Sequence, residues 1–248
     1  DIFLKKKAKT YGIEPTNAYK DCKKKHNITN KFFNIKVAKE FKKKFGCPDI
    51  IVFTNVFAHI ENLDHLLKSL KVLIKDNTFI VIENHYLLSV LKKMQFDTFY
   101  HEHLRTYSLM SFFRIAKKLK MSIYHLKFPN RYGGNIRVIF GSIKSNSINN
   151  IHEKISLEKK KIKFFEKRFQ KRFSNWKNAI LKKIKKLNTK HGPLFGKAYP
   201  ARASLIINLL NLNSKNISRI YEKPGSKKIG YYVPGTDIKI ISDVYLNN

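Results

Sequence analysis

The densest group of reactive side chains in the sequence is the nine-residue stretch 95–103, QFDTFYHEH. It ends with four consecutive groups that can give or take a proton or bind a hydroxyl: Tyr100, His101, Glu102 and His103. Such a cluster suits removal of a proton next to a carbonyl group, because imidazole is basic near neutral pH and its neighbours can stabilise an enolate or orient a substrate. An exposed loop without a function could have the same composition, so the interpretation depends on the surrounding elements.

Length and composition indicate a protein with a substantial core. The chain has 248 residues, of which 43% are hydrophobic and 13% aromatic, and this predicts two domains. No apolar run reaches about eighteen residues and no secretory leader opens the sequence, so we expect no membrane span. Cys22 and Cys47 are too few and too far apart for a zinc site, and no metal site is expected. Reduced thiols and a cytoplasmic location are the corresponding predictions.

The formal net charge of +34 is the strongest bias in the composition and suggests a nucleic-acid-binding protein. However, only eight of the 51 basic residues are Arg, the side chain that usually reads base edges. The Lys residues lie mostly on the predicted solvent faces of amphipathic segments, without an aromatic-lined binding motif among them. We therefore expect nonspecific, salt-dependent binding of polyanions, and a nucleic-acid substrate is only an alternative.

Polar residues follow three predicted strands, at the ends where open α/β sheets bind ligands. The first strand, 11–15, carries Glu14, which suits a ribose diol, although an exposed Glu before a proline turn fits equally well. The second strand, 49–53, is a continuous apolar run, which predicts a parallel strand buried on both faces, and the segment 55–60 comes directly after it. The third strand, 79–82, again ends in an acid, and the QFDTFYHEH stretch lies in the connection after it.

Helical periodicity and turn residues predict the remaining elements. Amphipathic helices are expected at 2–9, 16–25, 31–45, 61–75 and after Ser108, which can cap its helix. Strands 122–128 and 135–140 flank an Arg-Tyr-Gly-Gly turn as an antiparallel pair. A long basic helix, 151–189, is followed by a second α/β unit with strands at 193–196, 218–221 and 239–244 and a helix at 201–211.

Strand–helix alternation that ends in a hairpin is typical of a nucleotide-binding α/β sheet. The sequence lacks a first strand followed by a glycine-rich turn, the piece that holds a cofactor in such folds, and we expect the chain to begin just after it. The predicted organisation is a partial cofactor-binding domain at 1–145, a linking basic helix at 146–190 and a smaller α/β domain at 191–248.

Four segments resemble one known family: DIIVFTNVFAHIENLDHLL, QFDTFYHEHLRTYSL, RYGGNIRV and GYYVPGTDIKI. In the same order, they are similar to segments of the S-adenosyl-L-methionine-dependent C-methyltransferases of nucleotide sugars, which act on dTDP-4-keto-deoxysugars. The resemblance covers nearly the whole chain, and its YHEH and PGT-x-I-x-I elements are specific. It implies an α/β fold with an incomplete class I methyltransferase (Rossmann-like) sheet, a linking helix, a smaller C-terminal sugar-nucleotide-binding domain, and S-adenosyl-L-methionine as cofactor.

The resemblance also implies catalytic and cofactor-binding residues. The catalytic match comprises an acid/base pair, a substrate-binding carboxylate and a neighbouring donor: Tyr100 with His103, Glu102, and His101. The cofactor match comprises the acid that binds the ribose and the segment that lines the methyl donor: Glu14, and Asn55, Ala58 and His59.

Six further residues are expected to bind a nucleotide-sugar substrate: Gly133, Gly134, Asn135, Arg202, Lys228 and Tyr231. The first three match a Gly-Gly-Ser stretch beside the sugar. Arg202 falls at a Lys in the family's C-terminal turn that recognises the nucleotide diphosphate. Taken by itself, an Arg near a helix start suits a phosphate site or an ordinary solvated turn. Lys228 and Tyr231 lie in a turn-rich segment, 228–236.

The sequence departs from the family in several places. An N-terminal zinc module is absent from these 248 residues, so zinc is expected only if such a module exists, and the glycine-rich first cofactor loop is absent as well. Ala198 and Ala203 stand where the family's C-terminal turn tends to have glycine. The segment Glu83-Asn84-His85 receives no role.

The predicted reaction is methyl transfer to C3 of a 4-keto sugar after His103, or less favourably Tyr100, removes the C3 proton. Three alternatives stay open. The protein could be an O- or N-methyltransferase of a glycan precursor, an inactive truncated methyltransferase or a basic nucleic-acid-binding protein.

Overall fold

The computed structural model describes residues 2–22, 26–142, 148–200 and 202–246 of the chain. The chain folds into two compact units, each made of two stretches. The first unit comprises Asp1–Tyr86 and Leu104–Ser156, and the second comprises Leu87–His103 and Leu157–Asn248. The QFDTFYHEH stretch therefore folds with the C-terminal region of the chain. The domain boundaries given above stay a prediction.

The elements are as follows in chain order. The α-helices are α1 Ile2–Lys5, α2 Tyr19–Cys22, α3 Ile35–Phe45, α4 Leu63–Leu73, α5 Leu87–Lys93, α6 Leu109–Lys118, α7 Ile151–His191 and α8 Ala203–Leu209. The strands are β1 Tyr11–Ile13, β2 Asn27–Thr29, β3 Ile50–Thr54, β4 Phe79–His85, β5 Met121–Lys127, β6 Asn135–Ser142, β7 Leu194–Lys197, β8 Ile217–Glu222 and β9 Lys239–Ser242. Short 3-10 turns occupy Phe57–His59, Phe96–Thr98 and Asp243–Leu246.

The main sheet of the first unit has the strand order β3-β4-β6-β5. Strands β3 and β4 are parallel and are connected through α4, whereas β6 runs antiparallel to both β4 and β5. An apolar stripe was predicted for α4 at Leu63, Leu66, Leu67, Leu70 and Ile74. It is confirmed for the three central leucines, which are buried, whereas Leu63 and Ile74 are partly buried and Leu73 is buried in addition. The predicted antiparallel pair around the Arg-Tyr-Gly-Gly turn is confirmed as β5 and β6.

The prediction that strand 49–53 is buried on both faces is wrong. Ile50 and Val52 are 48% and 49% exposed. Among the described strands β3 pairs only with β4, so it forms an edge of its sheet. An apolar run indicates a strand, but it does not tell how many neighbours cover that strand.

The helix expected at 16–25 is confirmed over the four residues of α2, and residues 23–25 lie outside the described part of the chain. The unpredicted strand β2 follows and pairs in parallel with β1 in a separate two-stranded sheet. A three-residue strand of sequence Asn-Ile-Thr has no usable periodicity, because a period of two needs at least four residues to be seen.

Several boundaries differ from the sequence-based expectation. Helix α1 ends at Lys5, strand β9 ends at Ser242 before a 3-10 turn, and α8 covers 203–209, with Ala201 outside the described residues. Helix α5 was not predicted. Ser108 caps α6 as expected, and its partner Ser111 completes a capping box.

The long basic helix is confirmed as α7, and its part from Leu157 onward belongs to the second unit, together with a parallel sheet in the order β7-β8-β9. The core of this unit combines side chains of the sheet, of α8 and of the segment between β8 and β9 with partly buried side chains of α7: Ile207, Ile220, Val233, Ile238 and Ile240 with Trp176, Ile180 and Ile184. No helix of the described residues combines the length and the apolar character that crossing a membrane requires.

Candidate active site

The first unit holds a buried ionic cluster where β4 ends. The Glu83 carboxylate is 2% exposed. Arg137 donates to Glu83 Oε2 through Nε at 2.6 Å, and Asn135 Nδ2 donates to Oε1 at 2.9 Å. The strand register produces this cluster, because Glu83 lies opposite Arg137 and Asn135 lies opposite His85 on the same face of the antiparallel pair.

Burial of Glu83 raises the pKa of its carboxyl, since it disfavours the charged form. The hydrogen bonds from Asn135 and Arg137, together with the positive charge of Arg137, outweigh burial and hold the pKa of Glu83 below its usual range. The carboxylate is therefore ionised at neutral pH and acts as a fixed acceptor.

The Glu83 cluster joins two residues that the sequence assigned to different ligands. Asn55, predicted to bind the cofactor, directly follows β3 with φ 53°, a conformation that Asn tolerates better than most residues. Its backbone N–H donates to the Glu83 carbonyl oxygen at 2.8 Å. Its side-chain oxygen lies 3.4 Å from Nδ2 of Asn135, which is predicted to bind the sugar. Sequence analysis missed Glu83, although an acid at the end of a strand was visible.

The glycine pair beside Asn135 forms a tight turn between β5 and β6. Gly133 and Gly134 have φ values of 86° and 129°, which favour glycine. Gly134 N–H donates to the Arg131 carbonyl at 2.8 Å, and Tyr86 N–H donates to the Gly134 carbonyl at 3.2 Å. The turn is thereby attached to the residue that follows β4.

The segment that carries Ala58 and His59 is held by the side chains of Arg105 and Tyr107. Arg105 donates to the Ile60 carbonyl through Nη1 at 2.5 Å, and Tyr107 OH donates to the Phe57 carbonyl at 3.2 Å. Ala58 is buried and His59 is exposed. The cofactor roles of Ala58 and His59 stay predictions.

Glu14 directly follows the parallel strand β1 and fits a ribose diol chemically, since hydroxyls can donate to a carboxylate, which only accepts. Its Oε1 accepts from Thr16 Oγ1 at 2.5 Å and from Thr16 N–H at 2.8 Å, and both bonds lower the pKa of Glu14. The second oxygen, Oε2, accepts no hydrogen bond from the described residues. Glu14 is therefore an oriented, ionised acceptor.

The second unit brings the predicted acid/base residues together. The Tyr100 hydroxyl donates to Glu102 Oε2 at 2.9 Å. The Tyr100 ring lies 4.6 Å from the His103 ring and 5.6 Å from the His101 ring, measured between centroids. Burial of Tyr100, followed by the bond to Glu102, raises the pKa of this phenol. Tyr100 is therefore protonated at neutral pH and suits a donor better than a base.

His103 has a tautomer set by its backbone neighbour. Its Nδ1 lies 3.0 Å from the Thr98 carbonyl oxygen. A carbonyl oxygen can only accept, so Nδ1 carries the hydrogen, and in the neutral ring the lone pair is on Nε2. The base predicted from the sequence therefore has a defined reactive nitrogen.

The elements around residues 95–103 are fixed by α7. Phe96 packs against Phe173 and Trp176 with centroid distances of 5.1 and 4.6 Å. Arg172 donates to the carbonyls of Leu91 and Lys92, at 3.2 and 2.9 Å, at the C-terminal end of α5. These contacts hold the chain on the N-terminal side of Tyr100 in place.

The predicted phosphate-binding residues of the second unit have separate partners. Arg202 Nη1 lies 3.0 Å from Asp97 Oδ2 within the QFDTFYHEH stretch. Lys228 Nζ donates to the Tyr199 carbonyl at 2.6 Å and also lies over the Tyr199 ring. Tyr231 is 69% exposed. The substrate-binding roles of Arg202, Lys228 and Tyr231 stay predictions.

Within the described ranges, no three His, Cys, Asp or Glu side chains are grouped so that they could hold a metal ion.

Comparisons with known proteins place the chain in a family. The family model described as a methyltransferase domain matches residues 1–125, half of the chain. The family model described as the C-methyltransferase C-terminal domain matches residues 130–248. These matches confirm the predicted fold class, a class I methyltransferase α/β sheet followed by a smaller C-terminal α/β domain, and support S-adenosyl-L-methionine as cofactor.

Individual relatives are more distant. The C-methyltransferase NovU of Streptomyces niveus is 27% identical over 110 residues, which are 44% of this chain and 26% of that protein. The match thus spans about a quarter of that relative's length. Among solved structures, the plantazolicin methyltransferase BpumL in complex with SAH has a TM-score of 0.42 at 13% identity and covers 57% of this chain and 71% of its own.

A SAM-dependent methyltransferase from Aquifex aeolicus has a TM-score of 0.36 at 14% identity and covers 54% of this chain and 69% of its own. These structural likenesses are partial, so the family assignment depends on the two family models. The chain belongs to the methyltransferase domain family, and its C-terminal half matches the C-terminal domain of C-methyltransferases.

Proposed function

We propose that this protein is an S-adenosyl-L-methionine-dependent C-methyltransferase that acts on a nucleotide-linked 4-keto-deoxysugar through an enolate. One observation carries the proposal. His103 has its Nδ1–H directed at the Thr98 carbonyl, which puts the lone pair of the neutral ring on Nε2, and its ring lies beside the protonated Tyr100 phenol, which is bonded to the Glu102 carboxylate. A base, a neutral donor and a carboxylate are the groups that proton removal next to a carbonyl requires.

When bound, S-adenosyl-L-methionine supplies an electrophilic methyl group on a sulfonium sulfur. The residues proposed to hold it are Glu14, through its ribose hydroxyls, and Asn55, Ala58 and His59 after β3. The polar environment of Asn55 supports this role, because the Glu83 carbonyl fixes its backbone and Asn135 contacts its amide oxygen.

In the first step, His103 Nε2 takes the C3 proton of the sugar, and the electron pair of the broken C–H bond moves to form an enolate with its charge on O4. The phenol of Tyr100 donates a hydrogen bond to O4, with the exposed His101 as a second donor. Glu102 orients a sugar hydroxyl. C3 then forms a bond to the transferred methyl group, and the electron pair of the broken S–C bond stays on sulfur.

The nucleotide part is proposed to bind through charged and flexible groups of the second unit. Arg202 and Lys228 bind the diphosphate and Tyr231 the nucleoside, while Gly133, Gly134 and Asn135 bind the sugar. A guanidinium suits a diphosphate because its planar donors match two phosphate oxygens.

The test separates proton removal from methyl transfer. A dTDP-4-keto-6-deoxysugar is incubated in D₂O with the protein and S-adenosylhomocysteine, and loss of the C3 proton signal is followed by NMR. We expect His103→Ala to slow C3 exchange by about 10²- to 10⁴-fold, the usual contribution of a general base. Methyl transfer from S-adenosyl-L-methionine should fall by the same factor, while calorimetric binding of dTDP is kept.

His65→Ala is the matched control, because His65 is exposed and its hydrogen bonds with Asn62 and Ser69 use its backbone N–H and carbonyl, which alanine keeps. Equal C3 exchange in wild type and His103→Ala would refute the assignment of the base. Methyl transfer to a sugar without any C3 exchange would favour an O- or N-methyltransferase, since such a reaction needs no carbonyl beside the reacting atom.

A further inference from the structure

We infer that Asp97 is a built-in competitor for phosphate, which occupies Arg202 until a phosphate group displaces it. The inference rests on the proposed function in one respect, the binding of phosphate by Arg202. It adds a specificity-determining residue, Asp97, to which no role was assigned from the sequence. The ligand class is a nucleoside diphosphate or another diphosphate ester.

The geometry of the pair carries the inference. Arg202 Nη1 and Asp97 Oδ2 are 3.0 Å apart, an ion pair with charge-assisted hydrogen-bond geometry. The side chains are 47% and 33% exposed, respectively. Arg202 is also at the N-terminal cap of α8, where its side chain makes no capping bond. Its guanidinium is therefore committed to Asp97 at a place that solvent and a ligand can reach.

Asp97 is held more rigidly than its partner. It occupies the centre of the 3-10 turn Phe96–Thr98. The preceding residue, Phe96, packs against α7. The following residue, Thr98, is 3% exposed, and its carbonyl accepts the hydrogen bond from His103 Nδ1. Arg202 has the long and flexible side chain of the two. A phosphate that binds Arg202 therefore draws the guanidinium away from a carboxylate that stays in place.

The ion pair between Arg202 and Asp97 is weak enough for a phosphate to replace Asp97 on Arg202. Exposed ion pairs shift an equilibrium by about two- to fivefold, because water and salt screen both charges. A diphosphate presents two or more anionic oxygens to the guanidinium N–H donors of Arg202 and therefore binds them more strongly than the single carboxylate of Asp97. It also experiences repulsion from Asp97, so Asp97 selects against anions that cannot engage Arg202 strongly.

The exchange occurs close to the proposed acid/base pair. The charge of Arg202 lowers the pKa of Tyr100, against the larger upward effects of burial and of the bond to Glu102. A phosphate on Arg202 offsets that charge, which moves the pKa of Tyr100 further upward, and Tyr100 is protonated at neutral pH with or without the phosphate.

Calorimetric titration with dTDP and with inorganic pyrophosphate, at fixed physiological ionic strength, tests the inference. Asp97→Asn should tighten the binding of both ligands by about two- to fivefold, because it removes the competitor and the repulsion. Asp64→Asn is the matched control. It makes the same change in net charge and breaks another exposed 3.0 Å pair, with Lys118 in the first unit, and should leave both affinities unchanged.

The outcomes separate this inference from the proposed function. Unchanged or weaker binding in Asp97→Asn, with Arg202→Gln losing affinity, overturns the competitor role and leaves the phosphate role of Arg202 intact. If Arg202→Gln binds both ligands as wild type does, or if wild type binds neither, the phosphate role falls and the inference with it. Tighter binding in Asp97→Asn that disappears in the Arg202→Gln background supports it.

Discussion

Removal of Arg137 exposes how strongly the Glu83 cluster depends on charge compensation. In Arg137→Met the long aliphatic side chain is roughly preserved, whereas the contacts of Nε and Nη2 with Glu83 Oε2, at 2.6 and 2.5 Å, are lost. Among the described residues, the hydrogen-bond donor that remains to the buried carboxylate is Asn135 Nδ2 at 2.9 Å. A single neutral donor does not replace a cation in a site where Glu83 is 2% exposed.

The expected loss is about 3 kcal/mol in the free energy of unfolding, at the low end of the range for breaking a buried ion pair. The low end applies because the Arg137 side chain is 38% exposed and the bond from Asn135 persists. Glu83→Gln should cost less, about 1 to 2 kcal/mol, because the half-exposed Arg137 can turn to water and no buried charge is left behind.

Wild type and Arg137→Met should also differ in their pH dependence. In wild type the pKa of Glu83 is lowered, so its contribution to stability is present above the unfolded pKa of about 4.3 and is lost as the pH falls through the lower folded pKa. In Arg137→Met the bond and the charge of Arg137 no longer oppose burial, so the folded pKa of Glu83 is higher than in wild type, although the bond from Asn135 and the charge of Arg131 still lower it. The variant therefore gains less stability than wild type as the pH rises above about 4.3.

Urea unfolding followed by far-UV circular dichroism, at about pH 5 and about pH 7.5, measures both effects. The difference between wild type and Arg137→Met should be larger at the higher pH. Arg114→Met, on the exposed face of α6, is the control and should stay within about 0.5 kcal/mol of wild type. A pH-independent difference, or an equal loss in Glu83→Gln, would contradict the assignment of an ionised, charge-dependent carboxylate.

Two further predictions concern the second unit. Gly235→Ala should destabilise it by at least about 1 kcal/mol more than Gly225→Ala. Both glycines have φ 78°, so the backbone strain is the same, but a Cβ at position 235 would lie 2.6 Å from Asn208 Oδ1, whereas a Cβ at position 225 would have no atom within 4 Å. Thermal unfolding compares the two variants, and equal losses would argue against the close approach. Phe96→Ala should cost about 2 kcal/mol and expose Trp176, the only tryptophan, so its fluorescence should shift to the red; an unshifted spectrum would contradict the packing of Phe96 on α7.

Elements in which apolar residues repeat with a helical period over many positions could be predicted from the sequence. Helix α7 was predicted to within two residues at its end, because its apolar residues repeat over 41 positions. The Ser108 cap was predictable because a serine before an apolar period satisfies the first free N–H groups of a helix. The QFDTFYHEH cluster was visible for a similar reason, since its reactive groups are adjacent in sequence.

Features that depend on strand register and on the number of neighbours could not be predicted. The Glu83–Arg137 pair needs β4 and β6 aligned across 54 residues of sequence, and no local pattern encodes that alignment. The exposure of Ile50 depends on which strands flank β3. The tautomer of His103 depends on a backbone carbonyl, that of Thr98, whose direction the residue types do not determine.

The edge of β3 has a consequence for how the protein behaves at high concentration. Within the described part of the first unit, one side of β3 is without a strand partner, and it presents backbone donors and acceptors next to half-exposed Ile50 and Val52. Such an edge is a template for pairing with another molecule. The net charge of +34 keeps two copies apart, and salt screens this repulsion beyond about 10 Å. A salt concentration high enough to release bound polyanions therefore also weakens the charge repulsion that opposes self-association. Solubility should be greatest at intermediate salt.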